Sequence, residues 1–261
     1  MPRVLAVIPA RFASTRLPGK PLLDDTGRPM IVHVAERAAQ ARRVDRVIVA
    51  TDDPRIRDAV ESHGTTAVIT RDDHPNGTSR IAEALDHLTP PPADHDLVVN
   101  VQGDEPEIEP RLIDELIDAL DSDGDALMAT LASPFDDGED PADPHIVKVV
   151  TTHATPRRAL YFSRRLIPFV RDDSQSPTSG GASDAALPLK HPGLYAYRRG
   201  FLPRYAALPP TPLERLEQLE QLRALEHGIP IAIRLAECRH HGIDTREQYD
   251  AFVQRWRAAH G

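Results

Sequence analysis

Apolar and polar residues follow one another along the first half of this chain in short, regular blocks. Val4-Leu5-Ala6-Val7-Ile8 is wholly apolar and reads as a buried strand. From residue 30 to 43, Ile31, Val34, Ala35, Ala38 and Ala39 keep the spacing of one helix face, which predicts a helix. Arg46-Val47-Ile48-Val49-Ala50 is a second strand, and Thr51-Asp52-Asp53-Pro54 can start a helix over 55–62. A third strand over 66–70 runs into a long polar loop that opens a helix over 81–88, stopped by Thr89-Pro90-Pro91-Pro92. Leu97-Val98-Val99-Asn100-Val101 is apolar on both faces, as in the middle of a parallel sheet. With a helix over 111–120 and a strand over 127–131, the alternation predicts an α/β fold with a doubly wound, mostly parallel sheet.

The second half is less regular. Strands are expected over 146–151, 159–163, 193–198 and 231–235. Residues 172–186 are small and polar, with Gly180-Gly181, and predict a mobile surface loop. Thr211-Pro212-Leu213-Glu214 is a capping box that starts one helix running to His227 and stopping at Gly228. Its leucines, Leu213, Leu216, Leu219, Leu222 and Leu225, recur every third residue, so the stripe winds around the helix. Burial on more than one side would suit a core and a subunit contact together. A last helix is expected over 245–259, and no internal repeat is present.

Charge and composition narrow the function classes. The 261 residues carry 31 basic and 40 acidic side chains, a net charge of −9, with no aromatic-rich basic stripe, which argues against nucleic-acid binding. A single cysteine, Cys238, excludes an internal disulfide framework and fits a reducing compartment. The opening residues lack a signal-peptide pattern and no apolar run reaches the roughly 18 residues of a membrane span, so a soluble, cytoplasmic protein is expected.

Chemistry concentrates in the loop after the first strand, Pro9-Ala10-Arg11-Phe12-Ala13-Ser14-Thr15-Arg16-Leu17-Pro18-Gly19-Lys20. It lies beyond a strand's carboxyl end, where α/β sheets bind ligands, and Arg11, Arg16 and Lys20 suit a polyphosphate. Neither a Walker loop nor a three-glycine dinucleotide fingerprint is present, and a solvated basic loop remains the plain alternative. Asp104, after the central strand, could hold Mg²⁺ against phosphate oxygens or merely belong to a Gly-Asp turn. Asp244, with Glu247 three residues on, reads from spacing as the cap of the final helix. His191 could donate to an anionic sugar acid or be structural. Glu217, Gln218, Glu220 and Gln221 read as a solvated face. Cys238, His240 and His241 lack the spacing of a zinc site, and no G-x-S-x-G elbow occurs.

The motifs together resemble the 3-deoxy-manno-octulosonate (Kdo) cytidylyltransferase family, also called CMP-Kdo synthetases. The matching runs are Ile8-Pro9-Ala10-Arg11, Ser14 to Leu22, Ala50-Thr51-Asp52-Asp53, Asn76-Gly77-Thr78 with Arg80, and Asn100-Val101-Gln102-Gly103-Asp104-Glu105-Pro106. They continue with Val147-Lys148-Val149-Val150, Tyr161-Phe162-Ser163-Arg164, Lys190-His191 with Gly193 and Tyr195, Leu219-Glu220-Gln221-Leu222-Arg223, and Gly242-Ile243-Asp244-Thr245. They stand in the family's order across nearly the whole chain.

This resemblance implies a sheet of the nucleotide-diphospho-sugar transferase type with a smaller sugar-binding and dimerisation lobe. One nucleotidyltransferase domain over 1–261 would comprise a CTP-binding half, 1–135, and a sugar-binding and dimerisation half, 136–261. It implies a homodimer that joins CTP and Kdo to give CMP-Kdo and pyrophosphate with Mg²⁺, for lipopolysaccharide biosynthesis. Pro9, Ala10, Arg11, Ser14, Arg16, Lys20, Gln102 and Arg164 would contact CTP. Asp104 and Asp244 would hold the metal, and Lys20, Arg11, Asp104 and Asp244 would carry catalysis. Arg80, His191, Tyr195, Glu220 and Gln221 would bind the sugar acid. Three departures bear on the acceptor: Ser79 where the family usually has an acidic residue, His240-His241 before Gly242, and the 172–186 tract. Alternatives are 8-amino-Kdo, a sialic-acid-like sugar or a phosphonate as acceptor, or a non-catalytic nucleotide-binding homologue.

Overall fold

The computed structural model describes residues 2–13, 16–169, 171, 188–239 and 242–261. In chain order its first elements are β1 (Val4–Ala10), α1 (Met30–Ala39), β2 (Arg46–Thr51), α2 (Pro54–Ser62), β3 (Thr66–Ile69), α3 (Gly77–Asp86), β4 (Leu97–Asn100), α4 (Pro110–Ser122) and β5 (Met128–Pro134). There follow β6 (Lys148–Thr151), β7 (Ala159–Ser163), β8 (Leu189–Lys190), β9 (Tyr195–Arg198), α5 (Leu202–Ala206), α6 (Pro212–Glu217), α7 (Gln221–Glu226), β10 (Ile231–Leu235) and α8 (Arg246–His260). Two compact units result: Met1–Asp114 with Arg198–Ala206 and His240–Gly261, and Glu115–Tyr197 with Ala207–Arg239.

In the first unit four strands run parallel in the order β3-β2-β1-β4. The apolar run of β1 is the reason for its central place: Ala6, Val7 and Ile8 are fully buried, as are Val98 and Val99 beside it. Asp53 starts α2 as expected, its carboxylate accepting from Arg55 N at 2.9 Å with Pro54 in the first helical position. α3 begins four residues before the sequence pattern predicts, because Asn76 Oδ1 accepts from Ser79 N at 2.9 Å and draws the polar residues 77–80 into its first turn. The chain builds outward from β1 through β2 to β3, then returns to the other side of β1 for β4. At that reversal the loops leaving β1 and β4 diverge and leave a crevice beyond the strands' carboxyl ends.

The second unit is mixed. β5 pairs in parallel with β10 and antiparallel with β9 and, at its end, β8; β6 is antiparallel to both β7 and β8. The single helix expected over 211–227 is two helices, α6 and α7, separated at Gln218, whose φ of 54° is left-handed. A leucine at every third position cannot keep to one face, and the break resolves this: Leu219 and Leu222 are buried while Leu216 is 80% exposed. The two-residue β8 and the short α5 carry too little periodicity to be read from sequence. The mobile loop expected over 172–186 lies outside the described residues. Among the described residues, no helix is long and apolar enough to cross a membrane.

Candidate active site

The crevice of the first unit holds a cavity of about 330 Å³, lined by Pro9, Ala10, Arg11 and Arg16 from the β1 loop, Lys20, Gln102 to Asp104 from the β4 loop, and Asp244. Local packing explains how distant residues converge there. Leu17, Met30, Ile243, Tyr249, Phe252 and Val253 form one buried apolar cluster, which pins the β1 loop and the segment before α8 to the same anchor. Gly19 takes a φ of 69° and opens a short 3-10 turn, Lys20–Leu22, with Leu22 N donating to Gly19 O at 2.8 Å. Gly103 is required by proximity: a Cβ there would stand 2.8 Å from Pro9 O, so only glycine lets the β4 loop lie against the end of β1. Ile243 N then donates to Asp104 O at 2.8 Å, tying the third segment to the second.

At the centre is the Lys20 ammonium. It donates to Asp104 Oδ2 at 3.0 Å, Ile243 O at 2.8 Å and Asp244 Oδ1 at 3.2 Å. Arg16 pairs with Asp244 Oδ2 at 3.0 Å. Asp244 is therefore not the cap of the last helix: Thr245 is, accepting from Gln248 N at 3.3 Å, one residue later than the spacing suggests. Nor is the β1 loop merely solvated, since Lys20 is 13% exposed and fully engaged. Two carboxylates and a carbonyl that already share one cation form an all-oxygen donor set suited to a hard divalent ion. Among the described residues no cluster of three or more His, Cys, Asp or Glu could hold a metal, so such an ion would complete its shell with phosphate oxygens and water.

Of the other residues assigned to the nucleotide and sugar, some line this cavity and others do not. Ser14 is outside the described residues. Arg11 lines the cavity, and its Nη2 donates to His74 O. Arg80 is fully buried, with Nη1 donating to Thr70 Oγ1 at 2.7 Å and Nη2 3.5 Å from Asp52. Burial lowers its pKa, Asp52 opposes this, and the like charge of Arg11 adds to the lowering. As it stands, Arg80 is closed off from solvent.

In the second unit, Arg164 is committed to its own chain: Nε donates to Glu217 O at 2.8 Å, Nη1 to Pro144 O at 3.2 Å and Nη2 to Gln218 O at 3.4 Å. Glu217, read from sequence as part of a solvated face, accepts from Ser163 Oγ at 2.7 Å and Arg164 N at 2.9 Å. His191 is packed edge-on between Phe162 at 4.9 Å and Tyr195 at 5.4 Å, and burial pushes its pKa down to about 3. Thr130 Oγ1 gives its proton to Leu194 O at 2.6 Å, so the proton it shares with His191 Nε2 at 2.9 Å is the imidazole's. His191 is thus neutral, with Nδ1 left as an acceptor. Burial raises the Tyr195 pKa, and the nearby charge of Glu220 contributes. Gln221 is buried at the start of α7. Sequence reasoning passed over His74, whose carbonyl meets Arg11 63 positions away, and read Glu217 as solvated because its partners lie 54 and 53 positions away.

Comparison with known proteins agrees with this geometry. A family model described as cytidylyltransferase matches residues 5–233. A 3-deoxy-manno-octulosonate cytidylyltransferase of Syntrophobacter fumaroxidans is 51% identical over 251 residues, 96% of each chain. The enzyme of the same name from Neisseria meningitidis is 47% identical, again over 96% of each. The solved structure of a CMP:2-keto-3-deoxy-manno-octonic acid synthetase complexed with CTP superposes with a TM-score of 0.87 at 41% identity, covering 98% of this chain and 99% of that one. A 4-diphosphocytidyl-2C-methyl-D-erythritol synthase, at 12% identity and a TM-score of 0.62, shares the fold. With relatives this similar along almost its full length, the chain belongs to the 3-deoxy-manno-octulosonate cytidylyltransferase family.

Proposed function

We propose that the chain joins CTP to 3-deoxy-manno-octulosonate, giving CMP-Kdo and pyrophosphate. The observation that carries the reading is the Lys20 ammonium held between Asp104 and Asp244 in the β1–β4 crevice, in a chain about half identical to enzymes of that name. In this reading the triphosphate lies along Arg11, Arg16 and Lys20, and Gln102 reads the base. Lys20 exchanges carboxylate partners for phosphate oxygens and neutralises the charge that develops as pyrophosphate leaves. Asp104 and Asp244 would hold a divalent metal, as the family generally uses, which we assign as Mg²⁺; bound with CTP, it would supply Lewis-acid stabilisation of phosphate charge.

The sugar acid is assigned to His191, Tyr195, Glu220 and Gln221. A neutral imidazole with a free Nδ1 accepts from a hydroxyl instead of pairing with a carboxylate, so His191 orients the sugar without competing for its charge. The anomeric hydroxyl attacks the α-phosphorus in line and pyrophosphate departs, so catalysis is positioning and charge neutralisation, with no covalent enzyme intermediate. We further assign the protein to the cytoplasm and to a homodimer.

The test is pyrophosphate release from purified protein with CTP and Mg²⁺, comparing Kdo, 8-amino-Kdo, N-acetylneuraminate and no acceptor, with UTP and EDTA as controls. Release confined to CTP, Kdo and metal is expected. Release with another acceptor alone would keep the nucleotide chemistry and move the substrate, and saturable CTP binding without release would overturn the transferase reading.

A further inference from the structure

Ser79 precedes the buried Arg80 in α3, and its hydroxyl meets His74. Ser79 is half-buried in the first turn of α3, and its side chain turns toward its own loop. Its amide donates to Asn76 Oδ1 at 2.9 Å, and its hydroxyl donates to Asn76 O at 3.1 Å. With that proton committed, Ser79 Oγ accepts from His74 Nδ1 at 3.1 Å. The His74 ring is 4% exposed. On its other side Nε2 stands 2.8 Å from Glu83 Oε2, close but poorly directed for a hydrogen bond, and Glu83 is itself held by Arg71 N and Nε at 2.8 Å each. Asn76, Ser79 and Glu83 all belong to α3 or its cap, and the ring is tied to the helix through Ser79.

The main-chain carbonyl of the same histidine is the acceptor for Arg11 Nη2. Among the described residues, the His74 carbonyl is the hydrogen-bond partner of the Arg11 side chain; its neighbour Arg80 carries like charge, and Asp52 is directed at Arg80. We infer that His74 is a positioning residue for Arg11. Its imidazole, anchored through Nδ1–H to Ser79 Oγ, holds the carbonyl at the point that turns the Arg11 guanidinium toward the cavity. Position 79 accordingly acts on the nucleotide side, and a hydroxyl suffices there because it has to accept one N–H bond from a buried ring. The inference rests on the assignment of CTP phosphates to Arg11.

The experiment is a double-mutant cycle read by calorimetric CTP binding to the full chain without acceptor. His74→Ala is expected to weaken CTP binding about tenfold, and to add less than about twofold in an Arg11→Ala background, because both remove one arrangement. His74→Asn, whose amide can donate to Ser79 from the place of Nδ1, is expected to recover binding to within about threefold of the parent. Ser79→Asp is expected to leave the kcat/KM ratio between Kdo and 8-amino-Kdo within about twofold.

If Arg11→Ala binds CTP like the parent, the phosphate assignment fails and the inference falls with it. If Arg11→Ala weakens binding but His74→Ala costs the same factor in both backgrounds, the assignment stands and the inference alone is overturned. A shift of the acceptor ratio by Ser79→Asp likewise overturns it. Should His74→Ala not fold, Ser79→Ala run through the same cycle must show the same non-additivity in smaller degree, and additivity there rejects the inference.

Discussion

The two units treat a buried lysine in opposite ways. Lys20, in the first unit, is 13% exposed and bonded mainly to carboxylates that are themselves 31% and 38% exposed, beside an open cavity. Lys148, in the second, is fully buried and donates to three main-chain carbonyls, of Asp143, Ile146 and Arg164, with burial lowering its pKa. Lys190, next to His191, stands between the two: burial opposes its charge, but Asp136 at 2.6 Å and Glu139 at 2.7 Å outweigh this and raise its pKa. A cation paired with accessible carboxylates can change partners when an anionic ligand arrives. One enclosed by its own main chain cannot. The first arrangement suits reaction chemistry and the second fixes loops, and this difference, more than the number of charges, separates a site from a brace.

Breaking the first lysine should therefore cost activity and breaking the second should cost stability. Lys20→Met is expected to lower kcat about a thousandfold, roughly 4 kcal/mol of transition-state stabilisation, as for loss of an electrostatic donor. Urea unfolding of the same variant should move by less than about 1 kcal/mol, because its partners stay partly hydrated. If stability falls instead, Lys20 is a brace. Lys148→Met should show the reverse, a loss of about 3 kcal/mol or more in urea unfolding, since three part-buried carbonyls lose a charged donor whose own position is fully buried.

The contrast sharpens at His191, the neutral counterpart of these cations. Its folded pKa of about 3 lies below the ordinary value of 6.5, so between those limits the unfolded chain binds a proton that the folded chain does not. Its contribution is complete above 6.5 and is lost as pH falls toward 3, which makes stability rise with pH across the window. His191→Gln should remove about 1.4 kcal/mol per pH unit from that slope, read from urea midpoints at several pH values. An unchanged slope would mean that the ring is solvated. The smallest effect concerns the helix break: Gln218→Gly should stabilise the chain by up to about 1 kcal/mol by relieving a left-handed residue, measured as a small rise in thermal midpoint.

For the fold, local pattern was sufficient wherever one element's own residues decide its state. The strand over 159–163 and the strand over 231–235 fall where β-branched, aromatic and apolar runs predict them, and Asp53-Pro54 starts α2 as such a pair should. The order β3-β2-β1-β4 could not be read that way, because strand order depends on which apolar faces meet after the chain turns back. The helix over 211–227 failed for the same reason. Its capping and stop signals are local, but the break at Gln218 lets leucines that no straight helix could bury together reach the interior.

The site divides along the same line. By itself the sequence singled out the segments that meet in the crevice: a basic loop after the first strand, an acidic turn after the central one, and an aspartate near the end, in an order that resembles one family. Only the tertiary structure decided that Asp244 serves Lys20 instead of capping α8, that Arg164 and Arg80 face their own chain, and that Ser79 supports His74. The physical reason is range. Capping, turn chemistry and periodicity act within a few residues, whereas the charge state and partners of Lys20, Asp104 and Asp244 are set by contacts across 84 and 224 positions of chain.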